Sequence, residues 1–181
     1  MDTELVDIIS PNGQVEKEAL KTDAHAHGWL HKTIAGYLKS GDGWTFVRQS
    51  SDRQEPGLLV SAVGGHVRAG ETVIAALRRE SKEEIGASKI THKYLGKAIF
   101  HRVVNGKNEN HLHHIYEISS TDKLVLGEES TAFEDLTTGD LRVALRDHPE
   151  WFGASLFFAF EHFYGDLLPN AYKNQWSRKL E

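Results

Sequence analysis

Glu80, Glu83 and Glu84 stand at i, i+3 and i+4 of a segment with helical periodicity, which puts three carboxylates on one face within a single turn. Like charges at that spacing repel and weaken an isolated helix. A fold that keeps them together is expected to place a cation among them. Oxygen-only ligands suit a hard ion, Mg²⁺ or Mn²⁺, which keeps some of its waters and bridges to phosphate oxygens. The run ahead of the helix, Gly64-Gly65-His66-Val67-Arg68-Ala69-Gly70, can bring backbone groups close to a ligand, and the helix N-terminus that follows favours an anion. The plain alternative is a solvated charged face, with Arg78 and Lys82 balancing the glutamates.

The wider spacing decides between the two. Gly65 is followed after five residues by Glu71, after seven more by Arg79-Glu80, after two more by Glu83-Glu84, and after one more by Gly86. This set resembles the Nudix box, and all seven of its charged or glycine positions are filled. A chance match in a chain of this composition is on the order of a few per million. Ser81 departs from the pattern, because the family usually has an aliphatic residue there, and looser packing under the helix is expected from it. The resemblance implies a divalent-metal hydrolase in which water attacks a phosphorus of a diphosphate linked to another group. It makes Glu80, Glu83 and Glu84 the metal ligands, with the Gly65 carbonyl as a further one. Arg79 would pair with a carboxylate and orient it, and Glu71 would help fix the loop. His66 and Arg68, in that loop, are expected to face the phosphates. The general base would be a box glutamate or Glu129, which precedes Phe133-Glu134-Asp135-Leu136 as the family's loop glutamate does, although Asp135 replaces an expected tryptophan. A solvated loop at Glu128 and Glu129 is the competing reading.

Similarity continues outside the box. Residues 5–12, Thr22-Asp23-Ala24-His25, Gly28-Trp29-Leu30-His31-Lys32 and Ser61-Ala62-Val63-Gly64-Gly65-His66 resemble the isopentenyl diphosphate isomerase branch and related hydrolases. The isomerases hold a second metal with three histidines and two glutamates. The matching positions here are His25, His31, His66, Glu109 and His111, the last being a departure. Gly64 occupies the place of the isomerase cysteine. Isomerisation needs two opposed proton-transfer groups, and neither position supplies one, so the resemblance implies a hydrolase on an isomerase-like frame. For the histidines the simpler reading is preferred: His25 and His31 tether the N-terminal segment by hydrogen bonds, and His111, His113 and His114 sit on two faces of one strand. The expected substrate is a nucleoside diphosphate linked to another moiety, or a similar small diphosphate. Isomerase-like activity and a diphosphate-binding regulatory module are the alternatives. Trp29, Trp44, Tyr94 and Phe100 could stack on a base or belong to the core.

The elements that must position these groups are legible in outline. The chain has 181 residues, 39% hydrophobic and 26% charged, which suits one compact domain over 1–181, with the box at 65–87 and a C-terminal tail from 166. No apolar run approaches the roughly 20 residues of a membrane span. The acidic first seven residues have no apolar signal region, so a cytoplasmic location is expected. The chain has no cysteine, which excludes disulfides, thiolate metal sites and a cysteine nucleophile. A net charge of -5 gives no footprint for a nucleic acid polymer, leaving a small diphosphate as partner and a monomer or homodimer as the assembly. Strands are expected at residues 5–10, 33–38, 44–49, 58–63, 94–104 and 111–118, with an Asn12-Gly13 hairpin turn. Helices are expected at 70–85, 138–147 and 151–164, with a helical turn at 22–28. Phe157, Phe160, Phe163 and Tyr164 follow helical spacing and are read as core. The fold class is α/β, an α/β/α sandwich around a mixed sheet.

Overall fold

The computed structural model describes residues 3–173; the remainder of the expected tail, 174–181, lies outside the described residues. β1 (Leu5–Ile9) is buried at four of its five positions and pairs with β2 (Val15–Leu20). The Asn-Gly signal serves a longer turn than two residues. Gly13 N donates to Ser10 O at 2.8 Å, Ser10 N donates to Gln14 O at 2.9 Å, and Gly13 takes the left-handed φ of 89° that its lack of a Cβ allows. β2 is absent from the expected strands because its sequence, VEKEAL, presents no apolar face. It is an exposed edge strand, and its charges suit that place.

Next come α1 (Lys21–His27), β3 (His31–Ser40), β4 (Gly43–Gln49), β5 (Leu59–Ser61) and β6 (Val63–His66). The Gly64-Gly65 pair does not end a strand, as the sequence suggests, but lies inside β6. There Gly64 pairs with Ala35 and Gly65 with Ile34 of β3. The box helix, α2 (Val73–Ile85), begins later than residue 70. Gly70 has a φ of 72°, and Thr72 caps the helix by accepting the Ala75 N–H at 3.2 Å, so Glu71 precedes the helix. Gly86 ends it in the left-handed region, as expected.

β7 (Ile90–Val104) and β8 (Lys107–Ser120) form a long hairpin, and β8 lies parallel to β3, which makes the nine-stranded sheet mixed. β9 (Ser130–Thr137) pairs with β4; its alternation of half-buried and exposed residues hides it from a sequence reading. α3 (Thr138–Asp147) matches expectation, whereas α4 (Ala154–Phe163) is preceded by a separate 3₁₀ turn at Pro149–Trp151.

Period-two alternation divides the sheet cleanly between its two faces. Ala35, Tyr37, Phe46, Leu59 and Ile115 pack under α3 and α4, against Leu141, Leu145, Leu156 and Phe160. Their neighbours Ile34, Leu38, Val47, Val60, Tyr116 and Ile118 pack under α2, against Ala76, Leu77 and Ile85. This is the α/β/α sandwich. Phe157, Phe163 and Tyr164 are half-buried against the first cluster, and Leu167 and Leu168 are buried in it, so the core extends into the segment read as a tail. Ser81 is fully buried; its hydroxyl donates to Leu77 O at 2.7 Å, so the departure from the box leaves no unsatisfied polar atom.

Candidate active site

A cavity of about 780 Å³ opens where β6, the start of α1 and α2 meet the loop before β9. Gly64, Gly65, Glu80, Glu83 and Glu84 line it, with Glu129 on the loop and His25, His66 and His111 beside them.

Arg79 organises the carboxylates. It grips Glu71 with two parallel bonds, Nε to Oε1 at 3.1 Å and an Nη to Oε2 at 2.9 Å, and donates to Glu80 at 2.6 Å and Glu83 at 3.3 Å. It also donates to the His66 carbonyl at 2.9 Å, which ties the helix to β6. Glu71 in turn accepts the Arg68 N–H at 3.1 Å, so it fixes the loop as expected. Burial alone would raise the Glu71 carboxyl, but the Arg79 guanidinium and the Arg68 amide hold it below its ordinary value. Gly65 must be glycine because a Cβ there would overlap the Glu80 carboxylate.

The three ligand candidates are poised differently. Burial pushes Glu80 up to about 7 against the opposing pull of Arg79, and burial raises Glu84 well above its ordinary value, although Glu84 accepts the Gly64 N–H at 2.7 Å. Glu83 is half exposed at the cavity mouth. Together their oxygens make a donor set that fits Mg²⁺ or Mn²⁺.

Glu129 lines the cavity and Glu128 does not, which separates two residues that the sequence leaves equivalent. Gly127 places them: its N–H donates to Glu84 O at 2.7 Å, and a Cβ there would strike the Glu83 carbonyl at 2.6 Å. Glu129 forms an ion pair with Arg53, a cavity-lining residue that no spacing in the sequence singles out. Arg68 lies at the cavity edge, paired with Glu4 at 3.4 Å. Of the aromatic candidates, Phe100 lines the cavity. Trp44 is core, Trp29 packs beside α1, and Tyr94 is exposed on β7, so none of these three faces it.

Four imidazoles meet at the inner end. His25 from α1, His31 from β3, His66 from β6 and His111 from β8 bring ring nitrogens within 4.8 Å of one another. His31 also donates to Trp29 O at 2.8 Å, so the expected tethering bond exists within the group. Burial lowers His31 to about 4 and, with the neighbouring rings, His66 and His111 well below 6.5. Glu109 corrects an expectation: it is committed to Arg102, which also holds Glu55 at 2.7 Å, and stands outside the group of four. His113 bonds Thr33 at 2.8 Å, and His114, on the opposite face of β8, bonds the Tyr94 hydroxyl at 3.2 Å.

The NUDIX domain family model matches residues 25–154, most of the chain and all of the box; the chain belongs to that family. An uncharacterized Nudix hydrolase of Streptomyces coelicolor is 36% identical over 87 residues, 47% of this chain and 48% of that protein. An isopentenyl-diphosphate Delta-isomerase of Serratia proteamaculans is 29% identical over 90 residues, 49% of this chain and 50% of that one. Such alignments span about half the length of the curated relatives. The crystal structure of DR0079 from Deinococcus radiodurans superposes with a TM-score of 0.67 at 22% identity, over 84% of this chain and 94% of that one, a likeness of fold. Among the described residues no helix is long and apolar enough to cross a membrane.

Proposed function

We propose that the chain hydrolyses a diphosphate bond in a nucleoside diphosphate linked to another moiety, or in a similar small diphosphate, and that it requires Mg²⁺ or Mn²⁺. The observation that carries this is the convergence of Glu80, Glu83 and Glu84 around Arg79, against Gly65, on one wall of the cavity. Those three carboxylates and the Gly65 carbonyl would hold the ion. Bound there, a divalent ion neutralises charge on the diphosphate and lowers the pKa of water. Arg79 keeps Glu80 aimed at the cavity, Glu71 keeps Arg79 in place, and Glu129 accepts the proton of the attacking water. Arg53, by its ion pair, holds Glu129 at the cavity wall. Arg68 at the rim attracts the anionic substrate, while His66 contributes its carbonyl to Arg79 and turns its ring to the other imidazoles.

The isomerase reading finds no support in the geometry. Gly64 offers no proton-transfer group, although a Cβ there would meet nothing closer than Ser61 Oγ at 3.6 Å, so space alone does not forbid a side chain. His111 is turned into the imidazole group rather than standing opposite Gly64 as an acid. The test is a panel of diphosphates with Mg²⁺, Mn²⁺ or chelator in ¹⁸O water, with isopentenyl diphosphate included. Metal-dependent cleavage with label in one phosphate product is expected. Conversion of isopentenyl to dimethylallyl diphosphate, or binding without cleavage across the panel, would overturn the reading.

A further inference from the structure

The segment 50–58, between β4 and β5, forms no helix or strand, yet it carries Arg53, the partner of Glu129. Backbone bonds secure its two ends: Ser50 N donates to Glu129 O at 3.0 Å, and Gly57 N donates to Gln49 O at 3.0 Å. Its middle is secured by Glu55. One oxygen of that side chain, Oε1, accepts from Arg102 Nη1 at 2.7 Å and from the Ala154 N–H at 2.8 Å. Arg102 belongs to β7 and Ala154 opens α4, so a single carboxylate joins the segment to two elements remote from it in sequence. The α4 N-terminus favours a negative charge there, and Gly153 leaves the space, since a Cβ would lie 2.7 Å from Glu55 Oε2. Arg102 is fixed in turn by Glu109, which faces it across the β7–β8 hairpin. The side chains of Glu55, Arg102 and Glu109 are 12%, 15% and 6% exposed.

A nearly buried ion group contributes little net stability, because desolvation offsets most of its attraction. Three such side chains on a cavity wall therefore call for a positional reason, and Arg53 supplies it. Arg53 stands two residues before Glu55, pairs with Glu129, and has its Nε buried without a hydrogen-bond partner among the described residues. A long side chain with so few partners stays aimed only if its backbone is held, because its rotamer entropy favours leaving. We propose that Glu55, clamped by Arg102 and the α4 N-terminus, is a positioning residue for hydrolysis. Glu55 fixes segment 50–58, the segment fixes Arg53, and Arg53 keeps Glu129 at the attacking water. This role rests on the reading of Glu129 as the proton acceptor. Because the Glu55 charge is engaged by Arg102 rather than offered to substrate, its loss slows proton transfer and leaves binding nearly unchanged.

The experiment is a double-mutant cycle with hydrogen exchange beside it. Glu55→Ala and Arg53→Ala should each lower kcat roughly 10–100-fold, with KM changed less than about 3-fold. Glu55→Ala/Arg53→Ala should lower kcat no further than Arg53→Ala, because the first residue acts through the second. A merely structural role would instead give losses that add. If Glu55→Ala does not fold, Glu55→Gln replaces it in the cycle; it keeps an oxygen for the Ala154 N–H and lacks the charge that Arg102 holds, so a smaller loss of kcat is expected. Hydrogen exchange of the protein without substrate should show faster exchange at 50–58 and 127–130 in the Glu55 variant, and no change in α2. Additive losses, a change in KM alone, or unchanged exchange in both segments would overturn the proposal. Wild-type protein that cleaves no diphosphate sinks the hydrolase reading, and exchange then still reports whether Glu55 fixes the Glu129 loop. An active protein with additive losses sinks only the role of Glu55.

Discussion

The carboxylate face of α2 and the imidazole group beside it line one cavity but are assembled in opposite ways. Glu80, Glu83 and Glu84 come from a single turn of one helix, and their mutual repulsion is countered by Arg79 on the same turn. The four histidines come from α1, β3, β6 and β8, and Lys21 adds its positive charge to the mutual repulsion of their protonated forms at His31 and His66. Burial acts on both in the direction of neutrality, raising Glu80 and Glu84 and lowering His31, His66 and His111. For a site that takes a cation, this means that the carboxylates must release protons on binding, whereas the imidazoles already present lone pairs. The same burial thus favours the neutral form in both clusters, a protonated carboxyl in one and an unprotonated imidazole in the other.

The largest effect expected is on the carboxylate side. Glu84→Gln or Glu83→Gln keeps side-chain size and removes a charged ligand, so turnover should fall by roughly 10²–10⁴-fold, about 3–5 kcal/mol of transition-state stabilisation. Steady-state assays with Mg²⁺ check this, and near-normal turnover in both variants would place the chemistry elsewhere. Next is Arg79→Lys. A lysine cannot reproduce the two parallel bonds to Glu71 while also reaching Glu80, Glu83 and the His66 carbonyl. A loss of about 10–100-fold in kcat/KM is expected, with the fold retained by circular dichroism; unchanged kinetics would make the arginine a surface charge.

Stability as a function of pH separates the two clusters in metal-free protein. Glu80, at about 7, and Glu84, raised well above its ordinary value, bind protons more tightly folded than unfolded, so their contribution to stability is present at acid pH and is lost, for Glu80, as pH rises through about 7. The histidines bind protons less tightly folded, so theirs is present above about 6.5 and lost as pH falls toward 4. The carboxylates should therefore pull the melting temperature down as pH rises toward about 7, and Mg²⁺ should flatten that limb by binding the ionised carboxylates. Glu84→Gln should weaken the alkaline limb and leave the acid limb in place. A Glu84→Gln variant whose melting temperature follows the same pH profile as the wild type would contradict the assigned burial. The smallest effect expected is at Ser81→Ala. It removes a satisfied hydroxyl from inside the helix, so stability should change by less than about 1 kcal/mol, with activity unaltered. A large loss in thermal unfolding would show that the hydroxyl does more than bond Leu77 O.

The sequence by itself determined what depends on local spacing. The box glutamates lie within one helical turn, so their common face follows from 3.6 residues per turn, and the paired glycines, Arg79 and Glu71 follow at fixed offsets. The strand cores were legible because strands covered on both faces read as short, nearly continuous apolar runs, while β2 and β9 were not, since an edge strand needs no apolar pattern. Tertiary structure alone decided the rest. Whether Glu128 or Glu129 faces the cavity depends on how Gly127 packs against α2, and whether Glu109 is a ligand depends on Arg102, across the β7–β8 hairpin. The meeting of His25, His31, His66 and His111 depends on the parallel pairing of β3 with β8, which places His31 opposite His111, and on the antiparallel pairing of β3 with β6, which brings His66 beside Thr33. His25 of α1 and His111 of β8 lie 86 positions apart, and no local periodicity encodes that separation.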